Sequence, residues 1–515
     1  MKMRLFALLL LLLLAVNVAA QDAALTLTPI GTYATGKFDE GAAEIVAYYA
    51  PAKQLFVINA ADVSLDILDI TDPTAPALVT NIKLDEYGDS INSIAIKGDI
   101  IAVAVENADV AGNGQAVFLN PDGTVVAAVE VGVLPDMIAI TADGMYALTA
   151  NEGQPSDDYA TDPEGSVSII DLSGGVANLT QDNVMMVSFA DFNADGSRAA
   201  ELPADVRIFG PNATVAQDLE PEYIATADGI AYVTLQENNA VAVIDIATGA
   251  VNAIVALGYK DYNAEGNSID SSDEDGGVNI RNVPAFGMYQ PDGIAAYMAD
   301  GATYLITANE GDSRDYDGFS EEARVEDFTL DAAVFTANTT DAADLGRMRI
   351  TNTQGDTDGD GDLDAIYSFG ARSFTIWGAD GSLVFDSGNM LETMTSELSF
   401  FNSNGTNDSF DSRSDDKGPE PEGVVVAEVN GAMYAFIGLE RTGGVMVFDV
   451  TNPMAVTFVT YATNNLPEGN AEEGTAGDIG PEGLLFISAA DSPNGMPLLV
   501  VANEVSGSTT LYSIE

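Results

Sequence analysis

A β-propeller is the fold class this sequence predicts, on three observations. Seven segments repeat one pattern of strand, turn and strand. The apolar runs within them are short, rich in β-branched and aromatic residues, and punctuated by Gly, Asn and Asp. Beyond residue 20 no stretch sustains a helical period. Repeats of three or four strands at this scale read as blades, each unable to bury both faces without neighbours.

Each repeat opens on an acid or amide, usually after proline, and runs into an apolar strand. The clearest openings are Pro135-Asp136, Pro221-Glu222, Pro291-Asp292, Pro421-Glu422 and Pro481-Glu482, with weaker ones at Glu44 and Asn92. A second strand ends at Asn151-Glu152, Gln236-Glu237, Asn309-Glu310, Leu439-Glu440 or Asn503-Glu504, and at Asn59 or Glu106 in the weaker repeats. A third strand closing on aspartate follows at 65–69, 167–171, 241–245 and 445–449. Residues 347–352, 365–370, 374–378 and 383–386 read as a diverged eighth blade without the Pro-acid opening, so the count stands at seven or eight. The last repeat supplies three strands, the final one at 509–514. Residues 25–33 are expected to add the fourth and close the ring, which removes free sheet edges. Polar stretches at 154–164, 259–281, 311–324 and 403–418 read as surface loops.

The chain begins with Lys2 and Arg4, an apolar run over 5–16 and small residues up to Ala20, the pattern of a secretory signal cut before Gln21. That run is short for a membrane span, which takes roughly 20 apolar residues, and no later segment qualifies. Residues 1–20 are therefore assigned to a signal peptide and 21–515 to a single propeller domain with acidic loop insertions, secreted to the medium, the cell surface or the periplasm. At 47% hydrophobic residues the chain can bury a large core.

The absence of cysteine excludes disulfides, thiolate metal sites, cysteine nucleophiles and a lipidated cysteine. The absence of histidine excludes Ser-His-Asp triads and histidine-ligated zinc or haem. No phosphate loop, dinucleotide fingerprint or nucleophile elbow is present, and no catalytic residue is assigned. The formal charge of −62 repels nucleic acid and anionic lipid and attracts cations, although solubility and life in high salt also favour acidic surfaces. Divalent cations and an extracellular partner of unknown identity are the expected ligands.

Asp356-Thr-Asp358-Gly-Asp360-Gly-Asp362-Leu-Asp364 is the sharpest motif. Five carboxylates in so short a loop, with glycines for the turn, can wrap a hard cation in oxygen, and calcium takes six to eight such oxygens. The spacing matches calcium loops of integrin-type propeller repeats and departs from an EF-hand, since Tyr367 stands where a bidentate glutamate is wanted. A solvated acidic turn is the competing reading. If the repeats are blades, Asp136, Glu222, Asp292, Glu422 and Glu482 crowd one end of the central channel, with Glu152, Glu237, Glu310, Glu440 and Glu504 one strand outward. Two roles fit: a cation-loaded channel, or carboxylates that hold backbone amides of neighbouring blades. Arg207, Arg314, Arg372 and Arg441 lie near strand ends beside these acids and suit either anion binding or salt bridges to adjacent glutamates. The run 268–277 is a looser set of oxygen ligands, and Trp377, the only tryptophan, gives little support to a sugar platform.

Several motifs together resemble the choice-of-anchor I family: Asp205-Val-Arg-Ile-Phe-Gly210, Leu219-Glu-Pro-Glu-Tyr-Ile224, Gly287-Met-Tyr-Gln-Pro-Asp292, Thr307-Ala-Asn-Glu-Gly-Asp-Ser-Arg314, the aspartate loop with Tyr367-Ser-Phe-Gly-Ala-Arg-Ser-Phe374, and Gly418-Pro-Glu-Pro-Glu-Gly423. That family is similar to the mesenchyme-specific cell-surface glycoproteins associated with calcified skeletons in animals. The resemblance spans nearly the whole mature chain and implies a secreted or surface-displayed propeller with calcium-binding character. Members often end in an interchangeable anchor; this sequence ends on a strand at Glu515 without a sorting signal, so release is expected. The leading functional expectation is a non-enzymatic surface or matrix interaction module that binds calcium. The alternative, suggested by the alkaline-phosphatase label of some relatives, is a calcium-dependent phosphoesterase with arginines gripping phosphate over metal-activated water.

Overall fold

The computed structural model describes residues 25–515; the assigned signal peptide lies outside them. Short apolar runs, near-continuously buried in the second strand of each sheet, build seven four-stranded antiparallel sheets, the blades of a β-propeller. Blade 1 runs through Val46–Tyr49, Gln54–Asn59, Ser64–Asp69 and Ala77–Lys83; blade 2 through Ser90–Lys97, Ile100–Glu106, Asn113–Leu119 and Val125–Val133. Blade 3 comprises Pro135–Ile140, Tyr146–Asn151, Ser166–Asp171 and Val184–Ser188, and blade 4 Pro221–Ala227, Ile230–Leu235, Ala240–Asp245 and Ala250–Ala256. Blade 5 is Ile294–Ala299, Ala302–Asn309, Ser373–Gly378 and Leu383–Asp386; blade 6 is Pro421–Val429, Ala432–Leu439, Val445–Asp449 and Thr457–Ala462. Blade 7 takes Pro481–Ile487, Leu498–Asn503 and Ser508–Ile514 from the C-terminus and Leu27–Ala34 from the other end of the chain.

That last pairing runs antiparallel from Leu27 opposite Ile514 to Ala34 opposite Ser508, with one bulge at Pro29–Gly31. The first strands of consecutive blades touch all the way round, and blade 7 meets blade 1. Each junction between blades has its own apolar cluster. Phe56, Leu65 and Ile101 fill the junction of blades 1 and 2, Phe374, Ile437 and Phe448 that of blades 5 and 6, and Leu55, Val500 and Leu511 that of blades 7 and 1. A buried side chain of this size contributes about 1.5–3 kcal/mol, so the ring is held by many such contacts at every seam.

The eighth blade is not formed. Ser373–Gly378 and Leu383–Asp386 complete blade 5 by pairing with Ala302–Asn309. Arg349–Thr351 and Tyr367–Ser368 instead join Glu322–Arg324, Tyr259–Asp261 and Phe286–Met288 in a separate five-stranded sheet. One strand pair in it, Phe286–Met288 with Tyr367–Ser368, is parallel. The polar stretches differ from expectation too. Three of the four, 259–281, 311–324 and 403–418, are not simple surface loops, because Asp270, Ser272, Arg314, Glu321, Ser403 and Ser414 are all buried. The five-stranded sheet carries an apolar core of its own around Tyr262, Val283, Leu345, Met348, Ile350 and Ile366, which gives the insertions something to fold against.

Candidate functional site

The opening motif of each blade acquires a physical meaning at the ring centre. In blades 2, 3, 4, 6 and 7 the first strand breaks register with the second at its start: between Ile91 and Ser93, Pro135 and Met137, Pro221 and Ile224, Pro421 and Val424, and Pro481 and Leu484. The residues skipped are Asn92, Asp136, Glu222-Tyr223, Glu422-Gly423 and Glu482-Gly483. A bulge re-aims the side chain it carries, and proline, having no N–H for the ladder, suits its edge. The glycines serve a different need. A Cβ on Gly293 would stand 2.4 Å from the Glu422 carbonyl oxygen, and on Gly423 2.3 Å from that of Glu482. Only glycine lets the inner strands of adjacent blades approach so closely.

The second-strand Asn-Glu pair divides its labour. Asn151 is fully buried and donates to the Ser168 hydroxyl at 3.0 Å while accepting from Thr149 at 2.8 Å. Asn309 repeats this with Thr375 at 2.7 Å and Thr307 at 2.8 Å. The asparagine thus pins the second strand to the third, and the glutamate after it is delivered towards the ring centre.

There the acids meet. A cavity of ≈ 250 Å³ is lined by Asp136, Glu222, Asp292, Glu422 and Glu482 from the first ring and by Glu152 and Glu237 from the second, with Asn92, Gln154, Tyr223 and Asp312. No arginine or lysine lines it. Burial, and then the neighbouring Glu106 and Glu237, pushes Asp136 up to about 7. Burial and the surrounding carboxylates hold Glu152, Glu222, Asp292, Glu422 and Glu482 well above the usual range. Glu237 is also raised, burial being the first cause. The Oε2 atoms of Glu222, Glu237, Glu422 and Glu482 are buried without a hydrogen-bond partner, so backbone amides of neighbouring blades do not hold those oxygens.

The other second-ring acids lie around this cavity. Glu310 offers an oxygen within 4.8 Å of oxygens of Asp292 and Glu422, and another set links it to Glu420 and Glu440. Lys417 reaches Glu310 at 2.6 Å and Glu420 at 3.1 Å. Burial alone would raise Glu420, yet Lys417, Arg413 and Arg441 hold it down to about 2. Glu440 lines a separate cleft of ≈ 710 Å³ with Arg413 and Arg441; burial and Glu310 push it up to about 8. Glu504 lines neither space, and burial raises it.

The aspartate loop hangs from the insertion between the second and third strands of blade 5. Asp356 accepts from the amides of Gly359 at 2.7 Å and Gly361 at 3.0 Å, and Asp364 accepts from the Thr357 amide at 2.7 Å. Gly359 and Gly361 sit at φ 80° and 98°, where glycine is favoured. The turn brings oxygens of Asp356, Asp358 and Asp364 within 4.8 Å of one another. Asp360 and Asp362 fall outside that triplet; the Asp360 side chain accepts from the Asp362 amide at 3.2 Å. The negative charge of Asp360 raises Asp358 above its ordinary value. In the 268–277 run, by contrast, Asp273 is engaged by Arg347 at 2.8 Å and Asp275 by Asn279 at 2.7 Å.

Three of the four arginines turn inward. Arg314 pairs with Asp218 and with Glu220 at 2.9 Å, and stacks on Phe209 at 4.5 Å. Arg207 pairs with Glu321 and stacks on the same Phe209 ring at 4.1 Å. Arg372 binds Glu392 at 2.7 Å and the carbonyls of Ser414 and Asp416 at 2.7 and 2.6 Å. Their geometry is that of the salt-bridge reading. Arg441, partly exposed, meets Glu440 at 2.9 Å.

Asp312 and Gln154 belong to the cavity and were not foreseen from the sequence. Burial and Glu237 are among the causes that push Asp312 up to about 7, against the pull of Lys417. The signal was there: Asn151-Glu-Gly-Gln154 and Asn309-Glu-Gly-Asp312 are one tetrapeptide, with Gly153 and Gly311 at φ 71° and 89° turning the fourth residue back to the channel. Glu220 and Glu420 share a repeat of their own, Glu220-Pro-Glu222 and Glu420-Pro-Glu422, whereas Lys417 left no such trace.

A seven-bladed propeller with an acid-lined bore and a carboxylate loop in an inserted sheet is the class defined by these features. The chain belongs to the choice-of-anchor I domain family, whose sequence profile matches residues 44–453. Gigasin-3a of Magallana gigas is similar at 29% identity over 196 residues, covering 33% of this chain. The match spans 64% of the length of that relative. Among solved structures, Kuenenia stuttgartiensis hydrazine synthase aligns at a TM-score of 0.47 and 13% identity, over 93% of this chain and 99% of that one. Among the described residues no helix is long and apolar enough to cross a membrane.

Proposed function

We propose that the protein is a secreted or cell-surface calcium-binding propeller that serves as a non-enzymatic interaction module. The observation that carries this reading is the aspartate turn, where Asp356, Asp358 and Asp364 converge on one point of an exposed loop. Three converging carboxylates are an oxygen-only donor set of the kind a hard cation takes. The secretory pattern of residues 1–20 supports an extracellular setting. Against phosphoester hydrolysis stand the cavity lining, which offers an anion no positive side chain, and the buried ion pairs of Arg207, Arg314 and Arg372.

Hydrogen exchange read by mass spectrometry tests the loop locally. Calcium should slow exchange across residues 355–366 in the wild type and leave Asp358→Asn/Asp364→Asn unchanged. Equal exchange with calcium and with chelator in the wild type removes the loop assignment. In parallel, aryl phosphates and phosphodiesters should show no calcium-dependent turnover; turnover abolished by Arg441→Ala, the arginine left partly exposed, would favour the phosphoesterase.

A further inference from the structure

We infer that the central channel is a second, half-buried site for a hard divalent cation of the calcium type, held by Asp292 and Glu422 beside Glu310. It shares no residue with the aspartate loop, so either site can fail without the other.

Three independent features lead there. The first is convergence: Asp292, Glu310 and Glu422 each offer an oxygen within 4.8 Å of the other two. Glu310 is already engaged, its carboxylate taking Lys417 at 2.6 Å and Gln236 at 3.2 Å, which leaves Asp292 and Glu422 as the acids in need of a counter-charge. The second is the state of the wall across the cavity. Glu222 and Glu237 are only 7% and 5% exposed, line the same space, and each keeps an Oε2 atom with no donor. A buried acceptor without a donor forfeits its hydration with nothing in return, the more so when charged, and a protein rarely retains several facing one space unless something fills it. The third is donor chemistry. The lining supplies carboxylates, amides and one phenol, with no nitrogen or sulfur ligand of the kind transition metals select.

The dimensions agree. A volume of ≈ 250 Å³ holds a cation with several waters, at about 30 Å³ per water, so first-shell water can reach Glu222, Glu237 and Glu482 from a cation seated on Asp292 and Glu422. Bulges and close glycine contacts fix these side chains before any ion arrives, which is the preorganisation such a site needs. Because the direct ligands come from blades 5 and 6 and the water-linked acids from blades 4 and 7, the ion would draw together inner strands that otherwise repel at this end of the bore. The propeller then has two cation sites of different character, one exposed on a loop and one locked into the ring.

The test uses the full chain carrying Asp356→Asn/Asp358→Asn/Asp364→Asn, so that the loop is silent. Equilibrium dialysis against calcium should still find one saturable ion per chain, and adding Asp292→Asn/Glu422→Gln should weaken it at least tenfold. Terbium provides a second readout that does not depend on how well the channel variants fold. Tyr223 lines the cavity and should sensitise terbium emission; Tyr223→Phe should cut that emission several-fold with calcium stoichiometry unchanged. The inference is overturned if the loop-silenced protein shows no saturable calcium binding at millimolar concentration. It is equally overturned if the retained binding ignores both the channel substitutions and Tyr223→Phe.

Discussion

Replacing Arg314 with alanine should destabilise the protein more than almost any other single charged-to-neutral change, and the structure supplies the magnitude. The guanidinium is 1% exposed and lies between Asp218 and Glu220, themselves 0% and 1% exposed. Its Nε donates to Glu220 at 3.1 Å and its Nη2 to the Asp218 carbonyl at 2.8 Å. Removing the cation strands two buried carboxylates, and breaking a buried pair from one side costs about 3–5 kcal/mol. The stacking on Phe209 adds roughly 0.5–2 kcal/mol. Set against a typical total of about 5–15 kcal/mol, the denaturant midpoint should fall steeply. Trp377 is a convenient reporter, being the sole tryptophan, buried in blade 5 with its indole N–H on Thr307 at 2.9 Å. Arg314→Met, which keeps the packing, should cost somewhat less than alanine, and adding Glu220→Gln to it should recover part of the loss. If Arg314→Ala lies within about 1 kcal/mol of wild type with its far-UV spectrum intact, the ion pair is not structural and the anion-binding role regains its place.

Three further outcomes are expected. Deleting residues 25–34 strips the partner from Ser508–Ile514 and should give aggregated or protease-sensitive protein on size-exclusion chromatography and limited digestion; a stable monomer contradicts ring closure. In chelator, stability should fall as pH rises through about 7. Asp136 is pushed up to about 7, so the folded state holds a proton that the unfolded chain releases, and the contribution complete below pH ~4 is lost towards pH ~8, roughly 4 kcal/mol for that group. Asp136→Asn should flatten this profile in urea titrations at pH 5 and pH 8, and an unchanged slope rejects the assignment. Gly423→Ala places a methyl 2.3 Å from the Glu482 carbonyl and should lower stability by about 1–3 kcal/mol through overpacking; a neutral Tm would mean the inner strands can part.

Strand identity was open to reading along the chain because each blade is built from short apolar runs, turn residues and a repeated opening. Residues 167–171 and 445–449 appear as Ser166–Asp171 and Val445–Asp449, and the closing pair needed only an unpaired apolar run at each end of the sequence. The recurrence of Pro-acid likewise told which acids share the inner ring, since equal register in a repeat means equal place in the structure, whereas of the second-strand acids only Glu152 and Glu237 line the same cavity. Other features had no such periodic trace. Whether 373–386 starts a blade or finishes one depends on which strand Ala302–Asn309 pairs with across the insertion of residues 310–372. The fate of Arg314 was set by Asp218 and Glu220, almost a hundred residues away along the chain, through contacts that only packing creates. The sequence by itself determined the strands, the repeat and the charge on the bore, because those follow from local pattern. Only packing settles which carboxylates keep a partner and which face the central cavity without one, because burial and hydrogen bonding are properties of the assembled ring.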